Sequence, residues 1–296
     1  MNKAMDKPRL LAVLAHPDDE TFGIGGTLAY YARRGVEVFL ICATRGEAGD
    51  VSPEFLQGYG SVAERREAEL RCAAGKLGLA GVYFLDYRDS GMPGSADNRH
   101  PRALINAPLE EVARKIAAVI RRLRPQVVVT FDPIGGYRHP DHIAIHQATV
   151  RAFDVAAQPD PELEVQAGPP YRPAKLYFHI IPRTLLRLTV RWLQLTGRDP
   201  HRFGRNKDID LAAIAEVEFP TDAVVNYAEV ATIRDEAAIC HASQGGSGLT
   251  GGWLGRLFRR WVARETFMRA YPPHTNGRVE HDLFEGIASL EPLRKV

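Results

Sequence analysis

Two short runs hold the groups best suited to chemistry: His16-Pro17-Asp18-Asp19-Glu20, and Asp132-Pro133-Ile134-Gly135-Gly136-Tyr137-Arg138-His139-Pro140-Asp141-His142. Histidines and carboxylates at this density match a catalytic zinc site, in which three N or O ligands come from the protein and one position stays open. His16, Asp19 and His142 supply such a two-histidine, one-carboxylate set. Asp18 is beside a ligand without being needed as one, which makes it the candidate general base for water whose pKa zinc brings towards ~7. His139 is placed to donate a proton or to steady developing negative charge. Asp141 is the candidate to fix the tautomer of His139. Tyr137 follows two glycines, a flexible context that allows it to move over a bound carbonyl. His146, at i+4 from His142, also suits a ligand pair on one helical face. The first run already offers a histidine and a carboxylate, so His146 is expected to be packed or to sit behind the ligands. The plain alternative for either run alone is a polar turn.

The elements around these runs decide against that alternative. Residues 10–15 and 127–131 are continuous apolar runs, the pattern of strands buried on both faces. Each chemical run begins directly after one of them, and open α/β sheets bind ligands outside the carboxyl ends of their strands. Further strands are predicted at 36–43, 82–85 and 175–181, with a short one at 216–219. Helices are predicted over 25–34, 61–77, 109–123, 184–195 and 226–241. The second of these opens with Ser61 and Glu64, a capping-box pattern. The alternation predicts an α/β, Rossmann-like, mostly parallel sheet with helices on both faces. Residues 1–158 form the expected core carrying both runs. Residues 159–296 form a C-terminal elaboration that completes the sheet and the pocket, within one structural domain. The five prolines between 159 and 173 predict a loop, and the six glycines of 245–255 a mobile one.

Composition narrows the class. The chain has 296 residues, 45% hydrophobic and 25% charged, with a net charge of +2, which gives no general reason to hold nucleic acid. No apolar run approaches the ~20 residues of a membrane span. Cys42, Cys72 and Cys240 are odd in number, scattered, and include no C-x-x-C pair. They predict no disulfide framework and a reduced, cytoplasmic setting.

His16-Pro-Asp-Asp-Glu20 together with His139-Pro-Asp-His142 resembles the pair of signatures of the LmbE/PIG-L family of zinc-dependent N-deacetylases. The resemblance runs from Leu10 to about Val150 and recurs weakly at His241-Ala-Ser-Gln244. It implies a Rossmann-like fold and hydrolysis of an N-acyl group from an amino sugar or its conjugate. It also implies one zinc on His16, Asp19 and His142, with Asp18 as base, His139 assisting and Tyr137 polarising the carbonyl. Arg88-Asp89-Ser90-Gly91-Met92 resembles the branch that deacetylates GlcNAc-inositol or cleaves mycothiol conjugates, which implies sugar-hydroxyl contacts from Arg66 and Asp89. The other reading of Arg66 is a helix-surface residue paired with Glu67 or Glu69.

Two classes of function follow. One is a zinc hydrolase acting on a small N-acetylglucosamine-type substrate, with an amidase for a larger sugar-thiol conjugate as its variant. The other is a membrane-surface or partner-binding protein with a vestigial metal site. The second draws on the arginine-rich, apolar segments 184–205 and 256–264, which fit a packed amphipathic helix, peripheral membrane contact, an active-site lid or a homo-oligomer contact. Gly23-Ile24-Gly25-Gly26 has the wrong spacing for a dinucleotide fingerprint, and the acidic run before it would repel a pyrophosphate.

Overall fold

The computed structural model describes residues 7–181, 183–203, 209–246, 263–274 and 277–287. In chain order its strands and helices are β1 (Arg9–Leu14), α1 (Asp19–Arg33), β2 (Glu37–Cys42), α2 (Val62–Leu77), β3 (Gly81–Phe84), α3 (Leu109–Leu123), β4 (Val127–Phe131), α4 (Gly135–Arg138), α5 (Pro140–Ala157), α6 (Pro161–Ala167), β5 (Lys175–Ile180), α7 (Arg183–Leu195), α8 (Leu211–Ala215), β6 (Ala223–Asn226), α9 (Ala231–Cys240) and β7 (Arg264–Tyr271).

Leu10, Leu11, Ala12 and Val13 of β1 and Val127, Val128 and Val129 of β4 are fully buried, so these strands lie at the centre of the sheet. Burying each large aliphatic side chain there contributes roughly 1.5–3 kcal/mol. The seven strands run in the order β3-β2-β1-β4-β5-β7-β6. The first five are parallel, while β7 pairs antiparallel with both β5 and β6. The mostly parallel α/β sheet expected from the sequence is therefore present. α1, α2 and α9 pack together, and α3, α5 and α6 form a second group. Strand order reverses between β1 and β4, the place where doubly wound sheets open a crevice.

Several expectations need correction. α1 starts at Asp19 rather than at 25, because Asp19 and Glu20 favour the positive end of the helix dipole; the chain kinks at Ile24 instead of ending there. The proline-rich stretch holds α6, with Asp160 capping it and Pro161 at its first position, where proline is tolerated. No strand forms at 216–219, and the edge strand is β6. β7 was not foreseen, since its charged residues hide the period-two pattern. The helix expected over 226–241 becomes regular only at Ala231.

Cys72 of α2 and Cys240 at the end of α9 form a disulfide, contrary to the reading of the cysteines. Their separation of 168 residues gave no local signal. α7 packs Leu186 and Leu193 against Leu211, Ile214 and Ala215, and this small core touches Ile134 and Tyr137. Leu188, Trp192 and Leu195 on the same helix are exposed. Most of the glycine-rich loop and of the second arginine-rich segment lies outside the described residues.

Candidate active site and metal centre

The two chemical runs leave neighbouring strands at the point of reversal and meet above it. His16 Nδ1 lies 3.2 Å from His142 Nε2. Asp19 Oδ1 lies 3.2 Å from His142 Nε2, and Asp19 Oδ2 lies 3.4 Å from His16 Nδ1. Ligand atoms at zinc's usual 2.0–2.1 Å in a tetrahedron are about 3.3–3.4 Å apart. The two imidazole nitrogens are near that spacing, as is each of them with a different oxygen of Asp19.

The outward-facing atoms fix which lone pairs point inward. His142 Nδ1 donates to the Gly135 carbonyl at 3.2 Å, which leaves Nε2 with its lone pair. His16 Nε2 faces Asp141 Oδ2 at 3.1 Å and Asp89 Oδ1 at 3.4 Å, which leaves Nδ1 likewise. In neutral imidazoles these contacts leave both inner nitrogens as lone pairs facing the Asp19 carboxylate, an arrangement that suits a cation. Burial works against a proton on His16, but the Asp89, Asp141 and Asp19 carboxylates hold its imidazole well above its ordinary value, so the cluster draws positive charge. Imidazoles held from behind by a carboxylate and by a backbone carbonyl are the usual outer partners of metal-binding histidines. The residues fit zinc. Among the described residues, two groups bring one ligand atom from each member within 4.8 Å of one another, His16–His139–His142 and His16–Asp89–Asp141. Asp19 reaches the two histidines through different oxygens, Oδ1 to His142 and Oδ2 to His16.

Asp18 adopts φ +123°, uncommon for a residue with a side chain. Arg66 donates to Asp18 Oδ2 at 3.0 Å, to the Pro17 carbonyl at 2.7 Å and to the Gly46 carbonyl at 3.0 Å. Burial pushes the Asp18 carboxyl up to about 6, with Arg66 working against it. Asp19 behaves oppositely. Burial raises it, but His142 and His16 more than reverse this and hold it well below the carboxylate range. The His139 imidazole is held well below its ordinary value by burial and then by its neighbours His16 and His142. Burial also raises the Tyr137 hydroxyl, so it remains a donor.

Arg66 is buried rather than on the helix surface. Glu67 pairs instead with Arg45 and Arg71, and Glu69 with Arg65. Asp89 is buried against His16 and accepts from the Gly91 N–H at 2.8 Å. The expected contact between the Asp141 carboxylate and His139 is not made. His139 caps α5, and its Nδ1 accepts the Asp141 backbone N–H at 3.2 Å, so that nitrogen is occupied. The carboxylate turns to His16 and to the N–H and hydroxyl of Ser90. His146 is packed, donating to the Phe131 carbonyl at 2.8 Å and resting edge-on against Phe178.

Two cavities flank the cluster, and Asp18 and Tyr137 border both. One, of about 250 Å³, is lined by His16, Arg66, Asp89, His139 and Gln244. The other, of about 460 Å³, is lined by Phe22, Phe131, His179, Ile180 and Tyr227 with Glu265 at its wall. Sequence reasoning did not identify Ser90, the Gly135 carbonyl or the larger cavity. Ser90 lay inside the quoted Arg88–Met92 run; the carbonyl and the cavity had no side-chain signal.

Residues 11–153 match the PIG-L family, described as GlcNAc-PI de-N-acetylase. A relative from Geodermatophilus obscurus, a 1D-myo-inositol 2-acetamido-2-deoxy-alpha-D-glucopyranoside deacetylase, is 41% identical over 80% of this chain and 82% of its own. A protein of the same description from Streptomyces avermitilis is 35% identical over 97% and 99%. The fold resembles that of N,N'-diacetylchitobiose deacetylase from Pyrococcus horikoshii, with a TM-score of 0.59, 20% identity, and coverage of 89% of this chain and 84% of that one. The chain belongs to the PIG-L family.

Proposed function

We propose that this protein is a zinc-dependent hydrolase that removes the N-acetyl group from an N-acetylglucosamine-type conjugate, with a glucosaminyl-inositol as the leading substrate. The observation that carries the reading is the close mutual approach of the His16 and His142 ring nitrogens and the Asp19 carboxylate, with Asp18 beside them. The relatives' activity supports the substrate class. Zinc, when bound there, acts as a Lewis acid towards the amide carbonyl and makes water more acidic.

The chain's own groups do the rest. Arg66 holds one oxygen of Asp18, and the other accepts the proton of the attacking water. Tyr137 donates to the oxygen that gains charge, a contact typically worth ~2.7–4 kcal/mol in the transition state. In neutral His139 an occupied Nδ1 puts the proton on Nε2, so its role is a second donor to that oxygen. Asp18 then returns the proton to the leaving amine. Arg66 and Asp89 face the smaller cavity, where guanidinium donors and carboxylate acceptors suit vicinal hydroxyls.

The acyl group then points to the larger cavity. Its volume far exceeds a methyl group, which favours the amidase acting on a bulkier acyl conjugate as a second reading. Metal analysis with acetate release from a panel of N-acyl glucosaminides tests both readings. A protein that binds no zinc and releases no acid from any of them overturns both and leaves the vestigial-site alternative. Among the described residues no helix is long and apolar enough to cross a membrane. A cytoplasmic setting is part of the same proposal; it requires a reduced Cys72–Cys240 pair in the cell, and recovery of the bridged form from cells lysed into a thiol-trapping reagent overturns it.

A further inference from the structure

Glu20 and His241 form a pair in which both side chains are fully buried, and no step above uses either. A buried charged pair is costly to desolvate and is weak evidence for stability, so its retention calls for another explanation. His241 Nε2 donates to Glu20 Oε1 at 2.7 Å. The Thr21 hydroxyl donates to the same oxygen at 2.5 Å. The second oxygen, Oε2, accepts the backbone N–H of Asp18 at 2.9 Å. Asp18 is the residue with φ +123°, a conformation that persists only where the surroundings over-determine it. Arg66 holds its side chain, and Glu20 holds its backbone.

His241 is itself anchored. Cys240, the residue before it, is tied to Cys72 of α2. Ser243, two residues after it, donates from its N–H and hydroxyl to Glu69 of α2 at 2.9 and 2.7 Å. α2 also carries Arg66. The two clamps on Asp18 thus share one frame, in which α2 supplies the guanidinium directly and the segment bonded to α2 supplies His241.

We propose that His241 and Glu20 are positioning residues, which hold Asp18 in its left-handed conformation so that its free carboxylate oxygen faces the attacking water. The catalytic half of this inference rests on the deacetylase reading; the structural half does not. In His241→Gln the side-chain amide still donates to Glu20, whereas in His241→Ala nothing does. The first readout is hydrogen exchange of the Asp18 amide in metal-free protein. His241→Ala should lower its protection by about tenfold or more, the loss of one well-held bond, while the amides of β1 keep theirs. The second is kinetics at full zinc occupancy. His241→Ala should lower kcat by roughly ten- to a hundredfold, part of the ~10²–10⁴ that a base supplies, with KM nearly unchanged. His241→Gln should recover most of both.

Unchanged Asp18 protection in His241→Ala overturns the proposal, as does wild-type kcat. Loss of β1 protection in both variants shows His241 to be a core residue and overturns it too. If the wild-type protein hydrolyses no N-acyl glucosaminide, the deacetylase reading fails while the exchange experiment still judges the clamp.

Discussion

The two loops that build the site are made differently. The loop after β1 is fixed from several sides: Arg66 on Asp18, Glu20 on the Asp18 N–H, and His241 behind Glu20. The loop after β4 turns through Gly135 and Gly136, both at positive φ, and its Tyr137 rests on the small apolar core of α7 and α8. Directional, charge-assisted bonds hold a geometry within narrow limits, whereas apolar contacts tolerate sliding. The difference teaches a division of labour. On the proposed reading, the base Asp18 and the ligand Asp19 sit where the backbone and side chains are tied down, and the carbonyl-polarising Tyr137 sits where movement is cheaper.

The sharpest test of that division lies within the rigid loop. Asp19→Asn should weaken zinc binding, seen as substoichiometric metal after gel filtration, because an amide oxygen is a poorer ligand than a carboxylate. Asp18→Asn should keep its zinc and lose roughly 10²–10⁴ in kcat. If the two variants show the same metal content and the same rate, neighbouring carboxylates do not have separate roles. On the hinged loop, Tyr137→Phe should keep zinc and lose about 10²–10³ in kcat, the usual cost of one oxyanion donor. A rate within twofold of wild type would show that the tyrosine does not reach the substrate.

Adjacent glycines on the hinged loop separate its two functions. A Cβ on Gly135 would stand 2.8 Å from His142 Cβ and 2.9 Å from the Ile143 nitrogen, both parts of α5 that cannot yield cheaply. Gly135→Ala should therefore displace His142 and lower zinc affinity roughly 10–100-fold, the range seen for outer-shell changes at metal sites. Gly136, at φ 65° and ψ −83°, has open space around it. Gly136→Ala meets only backbone strain, on the order of 1–3 kcal/mol, and should lower kcat while leaving zinc in place. Competitive zinc titration of both variants checks this. Equal zinc affinities would mean that the loop moves as one body.

How much of this was legible in the sequence follows the same contrast. β1, β4 and α3 could be read because continuous apolar runs and a strong 3.6-residue period are local signals. The meeting of His16, Asp19 and His142 could be read because each lies in a contiguous run that follows a strand. The clamps could not. Glu20 and His241 are 221 residues apart, and a hydrogen bond between them leaves no periodic trace. Arg66 was ambiguous because, in a helix rich in glutamates, a surface pair and a buried clamp look alike. The Asp141 carboxylate was assigned to its sequence neighbour His139, yet the fold turns it across to His16 and Ser90. Proximity along the chain misled where the fold had already committed His139 Nδ1 to a backbone N–H. β7 failed for a related reason: its Glu265 reads as a surface charge.

Glu265 supplies the smallest predicted effect, one of stability. The kink at Ile24 breaks the regular helical pattern of α1, and Glu265 accepts the freed N–H groups of Gly26 and Thr27 at 3.0 and 2.7 Å. The side chain is buried, and burial pushes its carboxyl up to about 7, against the hydrogen bonds from Thr27 and Gly26 that favour the anion. A carboxyl raised in the folded state binds more protons folded than unfolded, so stability falls as pH rises between the unfolded value near 4.5 and about 7. The loss is on the order of 1–3 kcal/mol across that window and levels off above it. Glu265→Gln keeps one acceptor for the kink and removes the titration. Chemical unfolding of metal-free protein at several pH values should show a shallower decline from pH 4.5 to 7 in the variant than in the wild type. At pH 7 and above the variant should remain about 1–3 kcal/mol less stable than the wild type, because Gly26 and Thr27 use separate carboxylate oxygens and the amide nitrogen leaves one buried N–H unpaired. A variant that is less stable at every pH, with the wild-type slope intact, would show that Glu265 braces the α1 kink as an anion throughout and that its proton is not part of the fold.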